Sequence, residues 1–293
     1  EIQFDDQKLN QKKIKVIKLN NLNVIGSNLN FDEPSFVVLS GNNKFAGFSE
    51  KRPLLITGPV MIYQNEGEIE FENVEITEGI VHKIMNRNIS GVVNVNEAEV
   101  KINNLLINNS LGEDAINIIN SKFKINKIEI LNASSDAIDI DYSTGEIGII
   151  NCKNIINDCL DTSNSQVDIK SIFATNVKDK IVSSGEKSVV NINLVKSNDS
   201  NIGLASKDSS NLFVEEYYFT NVNIPMSAYI KKPEYGAPSI EVNQIISNNN
   251  NISALLGIET KYKLPNNINI NLKRSCEIYE YIYSRLNYCN EIN

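Results

Sequence analysis

The sequence predicts an all-β protein: a single right-handed parallel β-helix with coils of about 22 residues and a short C-terminal helical cap. Three observations lead to this prediction. Similar segments recur at a fixed step, short alternating runs of β-branched residues lie between Asn, Asp, Ser and Gly turns, and both chain ends lose the period. Such runs are typical of strands. Two or three short strands per repeat make one coil.

The fixed step is clearest in three similar segments of six residues. Their second residues are Asp114, Asp136 and Asp158, which lie 22 residues apart in each case. Continuing the step places Lys180 and Ile202 in the same column. A constant period of this length is typical of a solenoid repeat.

The period also has departures, each of which predicts an inserted residue or loop. They are a step of 23 from Val100 to Phe123, a step of 31 from Ile69 to Val100, one extra residue near Val189, and a step of 28 from Leu212 to Ile240. The two long departures predict an excursion within residues 77–90 and a loop over residues 231–238.

Stacked coils place equivalent residues about 4.8 Å apart along the axis. One inward ladder is predicted to consist of Ile116, Ile138, Leu160, Val182 and Leu204. Leucine-rich and helical repeats fit less well. The sequence lacks the Leu-x-x-Leu-x-Leu pattern of the first class and the three-and-four apolar spacing of the second.

The period divides the chain into an N-terminal cap with an irregular first coil (residues 1–48), the β-helix (49–250) and a C-terminal cap (251–293). In the last part, Ile278, Ile282 and Leu286 recur every four residues, which predicts a short amphipathic helix. We expect this helix to close the open end of the core, with partner binding as the alternative.

The four cysteines form two groups. Cys152 and Cys159 fall in inward columns and are predicted to be small buried core residues. For Cys276 and Cys289 the sequence leaves a disulfide open. Thirteen residues of straight helix would hold them about 20 Å apart, so a bond requires the helix to end early.

Composition limits the classes of partner that the protein is expected to bind. Acidic residues outnumber basic ones by 36 to 28, and the net charge of −8 argues against a nucleic-acid partner. No stretch of about 18 apolar residues occurs, so no membrane span is predicted. The chain begins with Glu1 rather than Met, as a processed product would. We therefore expect a secreted or cell-surface protein.

Four segments together carry a family resemblance: SDAIDID (135–141), SGEKS (184–188), IGLASKD (202–208) and KKPEYG (231–236). Over residues 90–245 the chain resembles a bacterial right-handed β-helix family that occurs alone or with CotH-kinase-like secreted proteins. That family is similar in fold to pectate lyases and other polysaccharide-active proteins. The resemblance implies carbohydrate handling as an expectation at fold level and brings no activity with it.

The residues themselves predict a polar outer face. Because Ile138 and Ile140 point inward, Asp139 and Asp141 point outward on one side of their strand. The 22-residue step stacks Asp161 over Asp139. Towards the C-terminus the acidic columns become basic and aromatic. The residues predicted there are Lys180 after Asp158, Lys207 and Tyr229 after Asp141, and Lys231, Lys232 and Tyr235 of the 231–238 loop.

Three interpretations of this face are open. In the first, which is favoured for Asp114, Asp136 and Asp158 at the turn, the aspartates only cap turns. In the second, the face binds a glycan or a surface protein through Asp139, Asp141, Asp161, Lys207, Tyr229, Lys231, Lys232 and Tyr235. In the third, it is catalytic, with the candidates Asp139, Asp161, Lys180 and Lys207. Paired carboxylates serve as acid and base in glycoside hydrolysis, and a lysine could take a proton in lyase chemistry.

Stacked carboxylates repel each other, by roughly 1 kcal/mol in water and about 3.5 kcal/mol at an effective dielectric near 20. We expect pairing with Lys180 to relieve this repulsion first, a bound Ca²⁺ second and a shared proton third. The residues that would hold Ca²⁺ are Asp139, Asp141, Asp158 and Asp161.

Several catalytic classes lack their residues. The only histidine, His82, lies in the 77–90 excursion, so neither a zinc site nor a serine–histidine triad is predicted. There is no Trp, which leaves 11 Tyr to stack on sugars. We expect a module that binds a glycan or a surface protein. The alternatives are a polysaccharide lyase or glycoside hydrolase acting in a groove, and an architectural subunit of a larger surface assembly.

Overall fold

A computed structural model describes residues 14–79, 89–248, 252–285 and 288–291 of the chain. The chain forms a parallel β-solenoid of about 11 turns, with 69% strand and 4% helix, which confirms the predicted all-β fold. His82 and most of the predicted 77–90 excursion lie outside the described residues.

In chain order the described strands are β1 (Lys15–Asn20), β2 (Asn23–Ile25), β3 (Leu29–Asn30), β4 (Ser35–Ser40), β5 (Asn42–Ala46), β6 (Leu54–Thr57), β7 (Val60–Asn65), β8 (Glu68–Glu72), β9 (Val74–Thr77), β10 (Gly91–Asn96), β11 (Glu99–Ser110), β12 (Asp114–Ile119), β13 (Lys122–Ala133), β14 (Asp136–Asp141), β15 (Thr144–Ile155), β16 (Leu160–Ser163), β17 (Gln166–Gly185), β18 (Val189–Lys207), β19 (Asn211–Tyr229), β20 (Ser239–Ser247), β21 (Ser253–Gly257), β22 (Lys261–Lys263) and β23 (Asn269–Lys273). Two described helices follow them: α1 (Ser275–Tyr283) and α2 (Tyr288–Glu291).

Parallel pairing of these strands produces three faces. The first face starts with β1, β4 and β7, continues through β10, β12, β14 and β16 and the C-terminal parts of β17, β18 and β19, and ends with β21 and β23. The second starts with β2, β5 and β8, and the third with β3, β6 and β9. The strands β17 to β19 are 20, 19 and 19 residues long because each runs through all three faces.

The strand register confirms the predicted period. The predicted partners at the irregular steps are paired: Ile69 with Val100, Val100 with Phe123, Val167 with Val190, and Leu212 with Ile240. The predicted ladder from Ile116 to Leu204 is also paired in register, and its five members are fully buried. Inward Ile and Val side chains of successive coils therefore form one continuous core.

Asparagines hold one corner of the coil. Asn132, Asn154 and Asn176 have φ angles of 57°, 59° and 57°, a conformation that Asn tolerates better than most residues. The side-chain amide of Asn154 donates to Asn132 Oδ1 at 2.8 Å, and that of Asn176 donates to Asn154 Oδ1 at 2.8 Å. Turn geometry thus accounts for part of the high Asn content.

The cysteines correct one prediction and decide another. Cys152 and Cys159 are buried, as predicted, but they form a disulfide rather than acting as separate small core residues. Their columns belong to different faces, which meet across the narrow interior with Cα atoms 5.9 Å apart. Cys276 and Cys289 are also bonded, with Cα atoms 5.0 Å apart. This bond forms because α1 ends at Tyr283 and the chain turns back.

The C-terminal helix is confirmed, but its expected role in closing the core is wrong. Ile278 packs with Tyr229 and Leu255, two outward residues of the first face, in a cluster separate from the solenoid core. The helix therefore covers the outer side of the last coils. Within the described residues, no helix is long and apolar enough to cross a membrane.

Candidate functional site

Three columns of mostly polar residues lie on the outer side of the first face between β12 and β18. The first is Asp114, Asp136, Asp158 and Lys180, the second is Asn117, Asp139, Asp161 and Ser183, and the third is Asp141, Ser163, Gly185 and Lys207. The six aspartates of these columns are called the acidic patch below. The structure thus brings together the predicted residues Asp139, Asp141 and Asp161.

The first column stabilises the turns between coils. Asp136 Oδ1 accepts a hydrogen bond from the backbone N–H of Asp158 at 2.7 Å, and Asp158 Oδ1 accepts one from the N–H of Lys180 at 2.8 Å. Asp114 Oδ2 accepts a bond from Asn117 Nδ2 at 3.3 Å. The predicted turn-capping role is confirmed for Asp136 and Asp158, whereas Asp114 is bonded to the side chain of Asn117.

Burial is the first cause of the raised pKa values in the acidic patch. It raises the pKa of Asp114 to about 7 and that of Asp136 to about 8, with neighbouring carboxylates adding to the effect. The pKa of Asp139 rises well above its usual value through burial and the charges of four other aspartates of the patch. The pKa of Asp141 rises to about 6 through burial and the charge of Asp161. The patch therefore retains protons near neutral pH.

Lys180 forms a buried ion pair at one end of the patch. Its Nζ lies 3.3 Å from Asp158 Oδ1 and 2.5 Å from Asp179 Oδ2. Burial raises the pKa of Asp158 to about 6 although the Lys180 ammonium opposes the shift, so that the carboxyl is mostly ionised at pH 7. The predicted lysine pairing is confirmed for Asp158.

Lys207 is buried beside the second column. Its Nζ lies 3.9 Å from Asp161 Oδ1, and only 7% of its side chain is exposed. Burial alone would lower the pKa of both lysines, but the nearby carboxylates more than compensate and raise it. The nearby carboxylates therefore favour the ammonium form of both lysines, which disfavours Lys180 or Lys207 as a proton acceptor.

The helix α1 forms a wall at the C-terminal side of the patch. Tyr229 is fully buried under it, with its hydroxyl 3.1 Å from that of Tyr283. The backbone N–H of Ile230 donates to Ser275 Oγ at 2.8 Å, and Lys180 Nζ lies 5.6 Å from the centre of the Tyr283 ring. The prediction that Tyr229 contacts a ligand is therefore wrong, because the helix occupies that position.

The 231–238 loop lies on the same side of the solenoid as Asp139 and Asp161, as predicted. Asp208 Oδ1 accepts hydrogen bonds from the backbone N–H groups of Lys231 and Lys232 at 2.6 and 2.8 Å. The ammonium of Lys232 pairs with Glu186, and both groups act on the titration of Asp141. Lys231 and Lys232 are thus held at the edge of the patch.

Two tyrosines border the patch beside this loop. Tyr235 is partly buried and lies 5.9 Å from Lys187 Nζ, measured to its ring centre. Burial and the charge of Glu186 raise its pKa, with a further contribution from Tyr142. Tyr142 is 57% exposed and directly follows Asp141. Tyr142 was not among the residues predicted from the sequence, although its place after an outward aspartate at a strand end was a usable signal.

The structure gives no support to the expected Ca²⁺ site. Among the residues it describes, no group of three or more His, Cys, Asp or Glu side chains could hold a metal ion. Two of the four proposed ligands already face ammonium groups, Asp158 that of Lys180 and Asp161 that of Lys207. A lysine thus occupies the position in which a cation would be needed.

A separate groove of about 730 Å³ runs along the corner between the second and third faces. Residues on its rim include Lys101, Lys124, Glu146 and Asp168. The 231–238 loop takes no part in this groove.

Comparisons of the chain with protein-family models, with curated proteins and with solved structures found no match. The resemblance to the bacterial β-helix family therefore stays a prediction.

Proposed function

We propose that this protein binds a glycan over the acidic patch, beside Tyr142 and the 231–238 loop. The observation that carries the proposal is the combination of partly accessible carboxyl groups with two bordering tyrosines. Asp139, Asp141 and Asp161 are half-buried rather than covered. Carboxylates accept hydrogen bonds from sugar hydroxyls, and a Tyr ring offers an apolar surface with a polar end.

A glycan fits this surface better than a protein partner does. The accessible groups are carboxyls, a tyrosine hydroxyl and the ammonium of Lys232, which is 42% exposed. Protein interfaces usually contain an apolar core within a polar rim. The patch offers a polar centre with aromatic rings at its edge, which is the opposite arrangement.

A binding screen against a polysaccharide panel, followed by calorimetry, tests the proposal. We expect Asp139→Asn and Asp161→Asn to weaken binding by about tenfold or more, since each replaces a carboxyl group that can accept hydrogen bonds from sugar hydroxyls with an amide. Asp168→Asn on the second face is the matched control, because it makes the same change at an exposed site. Loss of binding in the control alone would instead locate the ligand in the groove that Asp168 lines.

Glycoside hydrolysis is a second candidate function, favoured by the different surroundings of two stacked residues. Burial and the charges of neighbouring aspartates raise the pKa of Asp139 well above its usual value, which favours the protonated form that a general acid requires. The ammonium of Lys207 and the N–H of Thr162, at 3.9 and 3.0 Å, both stabilise negative charge on Asp161 Oδ1. New reducing ends that disappear with Asp139→Asn would support hydrolysis, whereas unsaturated ends would contradict it.

A further inference from the structure

The acidic patch contains more carboxyl groups than the surrounding ammonium groups can neutralise. Within the described part of the chain, Lys180 pairs with Asp158 and Asp179, and Lys207 pairs with Asp161. No salt bridge between described residues reaches Asp114, Asp136 or Asp139. Asp114 on β12 pairs in register with Asp136 on β14, and Asp139 follows three residues later on β14, so the ionised forms of these carboxyl groups repel each other.

The second column also contains buried oxygen atoms that lack a hydrogen-bond partner. They are Asn117 Oδ1, in a residue 3% exposed, and Ser183 Oγ, in a fully buried residue. Asn117 stacks on one side of Asp139, and Ser183 stacks beyond Asp161. An unpaired buried acceptor costs about 1–3 kcal/mol, so these atoms mark positions at which a donor is wanted.

The two observations call for the same ligand group. A cationic amine donates three hydrogen bonds and carries the charge that Asp114, Asp136 and Asp139 lack. It needs no set of six to eight oxygen ligands, unlike Ca²⁺. A sugar carboxylate would add a further negative charge to the same face and is therefore disfavoured.

We infer that the glycan bound over the acidic patch carries free amino groups, as a polymer of glucosamine-type units does. This inference rests on the proposed function. Because the coils stack about 4.8 Å apart, a chain parallel to the solenoid axis meets a new acceptor at each coil, from Asn117 through Asp139 to Asp161. A repeating amine and a repeating carboxyl ladder are complementary in charge and direction.

Binding of an amine should displace protons from the patch. Three sets of charged or titratable groups face the patch and affect this titration. Asp114, Asp136, Asp141 and Asp161 surround Asp139, and Glu186 and Lys232 lie beside Asp141. Lys207, Lys180 and Tyr283 lie at the C-terminal wall. Affinity for the amine should therefore rise from pH 5 to pH 7, as long as the ligand keeps its own proton.

Calorimetry with a glucosamine oligomer and with an N-acetylglucosamine oligomer of equal length tests the inference. We expect the free-amine oligomer to bind at least about tenfold more tightly, which corresponds to about 1.4 kcal/mol. Titration in two buffers with different ionisation heats should show proton release for the amine ligand alone. Asp139→Asn should reduce both the affinity and the proton release.

A second variant keeps the test valid if Asp139→Asn affects folding. Ser183→Ala removes a buried oxygen that lacks a partner, so the melting temperature should stay the same or rise, whereas binding of the amine oligomer should weaken. Equal binding of the acetylated oligomer, or unchanged affinity in both variants, would overturn the inference while leaving glycan binding intact.

Two further outcomes separate this inference from the proposed function. Absence of binding to any glycan of the panel would overturn both. Binding of oligolysine without binding of the glucosamine oligomer would also overturn both, and would identify a cationic protein segment as the partner.

Discussion

At the residue scale, the acidic patch makes the stability of the folded state depend on pH. Asp114 and Asp136 have pKa values of about 7 and 8 in the folded protein, against an ordinary value of 3.8. The folded state therefore binds more protons than the unfolded state between about pH 4 and pH 8. Stability is highest at the acidic end of this window and falls as the pH rises through it.

Asp136→Asn should flatten this pH dependence. The wild type should melt at a lower temperature at pH 8.5 than at pH 5, with roughly 2–4 °C for each kcal/mol lost. The variant keeps the oxygen that accepts the Asp158 N–H but does not titrate, so its melting temperature should change less over the same range. Melting curves recorded by circular dichroism at both pH values measure the difference.

The control for this experiment is Asp168→Asn, which removes an exposed carboxyl group and should leave the wild-type pH dependence in place. A wild-type melting temperature that rises from pH 5 to pH 8.5 would contradict the assignment of protonated carboxyls to the patch.

At the element scale, the helix α1 and its disulfide decide how deeply the two patch lysines are buried. Cys276 and Cys289 are 13 positions apart, and a disulfide that closes a loop of this length stabilises the folded state by about 3 kcal/mol, mainly by restricting the unfolded chain. The ring of Tyr283 lies over Lys180, and its hydroxyl contacts that of Tyr229. Loosening the helix should therefore expose buried ammonium groups.

The double variant Cys276→Ser with Cys289→Ser should increase acetylation of Lys180 and Lys207 by an amine-reactive reagent, measured by mass spectrometry. Lys124, whose side chain is 82% exposed, provides the internal reference. The matched control replaces Cys152 and Cys159 by Ala, which breaks the other disulfide without touching the helix. Equal labelling of Lys180 in all three proteins would show that the helix is held without its disulfide.

At the scale of the whole molecule, one periodic core stabilises every coil. Leu160→Asp places a charge in the centre of the inward ladder, where its desolvation costs several kcal/mol, and should abolish cooperative folding. Ile156→Asp is the matched control, because Ile156 belongs to the same coil but is 58% exposed. Far-ultraviolet circular dichroism and size-exclusion chromatography distinguish the two outcomes. A Leu160→Asp protein that melts within a few degrees of the wild type would contradict the continuous core.

The repetition of each position from one coil to the next explains which parts of this structure could be predicted from the sequence. The 22-residue step was sufficient to stack Asp139 on Asp161, because a parallel solenoid repeats each position in the next coil. The same step contains no information about contacts across a coil, so the Cys152–Cys159 bond was missed. It also does not show where a non-repeating tail folds, and for this reason Tyr229 was wrongly assigned to the open surface.

The positions of the two disulfides have a mechanical consequence. Cys152 and Cys159 are seven residues apart within one turn of the chain, and Cys276 and Cys289 join the two C-terminal helices. Neither bond ties one coil to the next, so the stack resists tension along its axis through hydrogen bonds and packing alone. A molecule pulled from its ends should unravel coil by coil. In a force-extension experiment, a reducing agent should leave unchanged the spacing of the rupture events that come from coils without a disulfide.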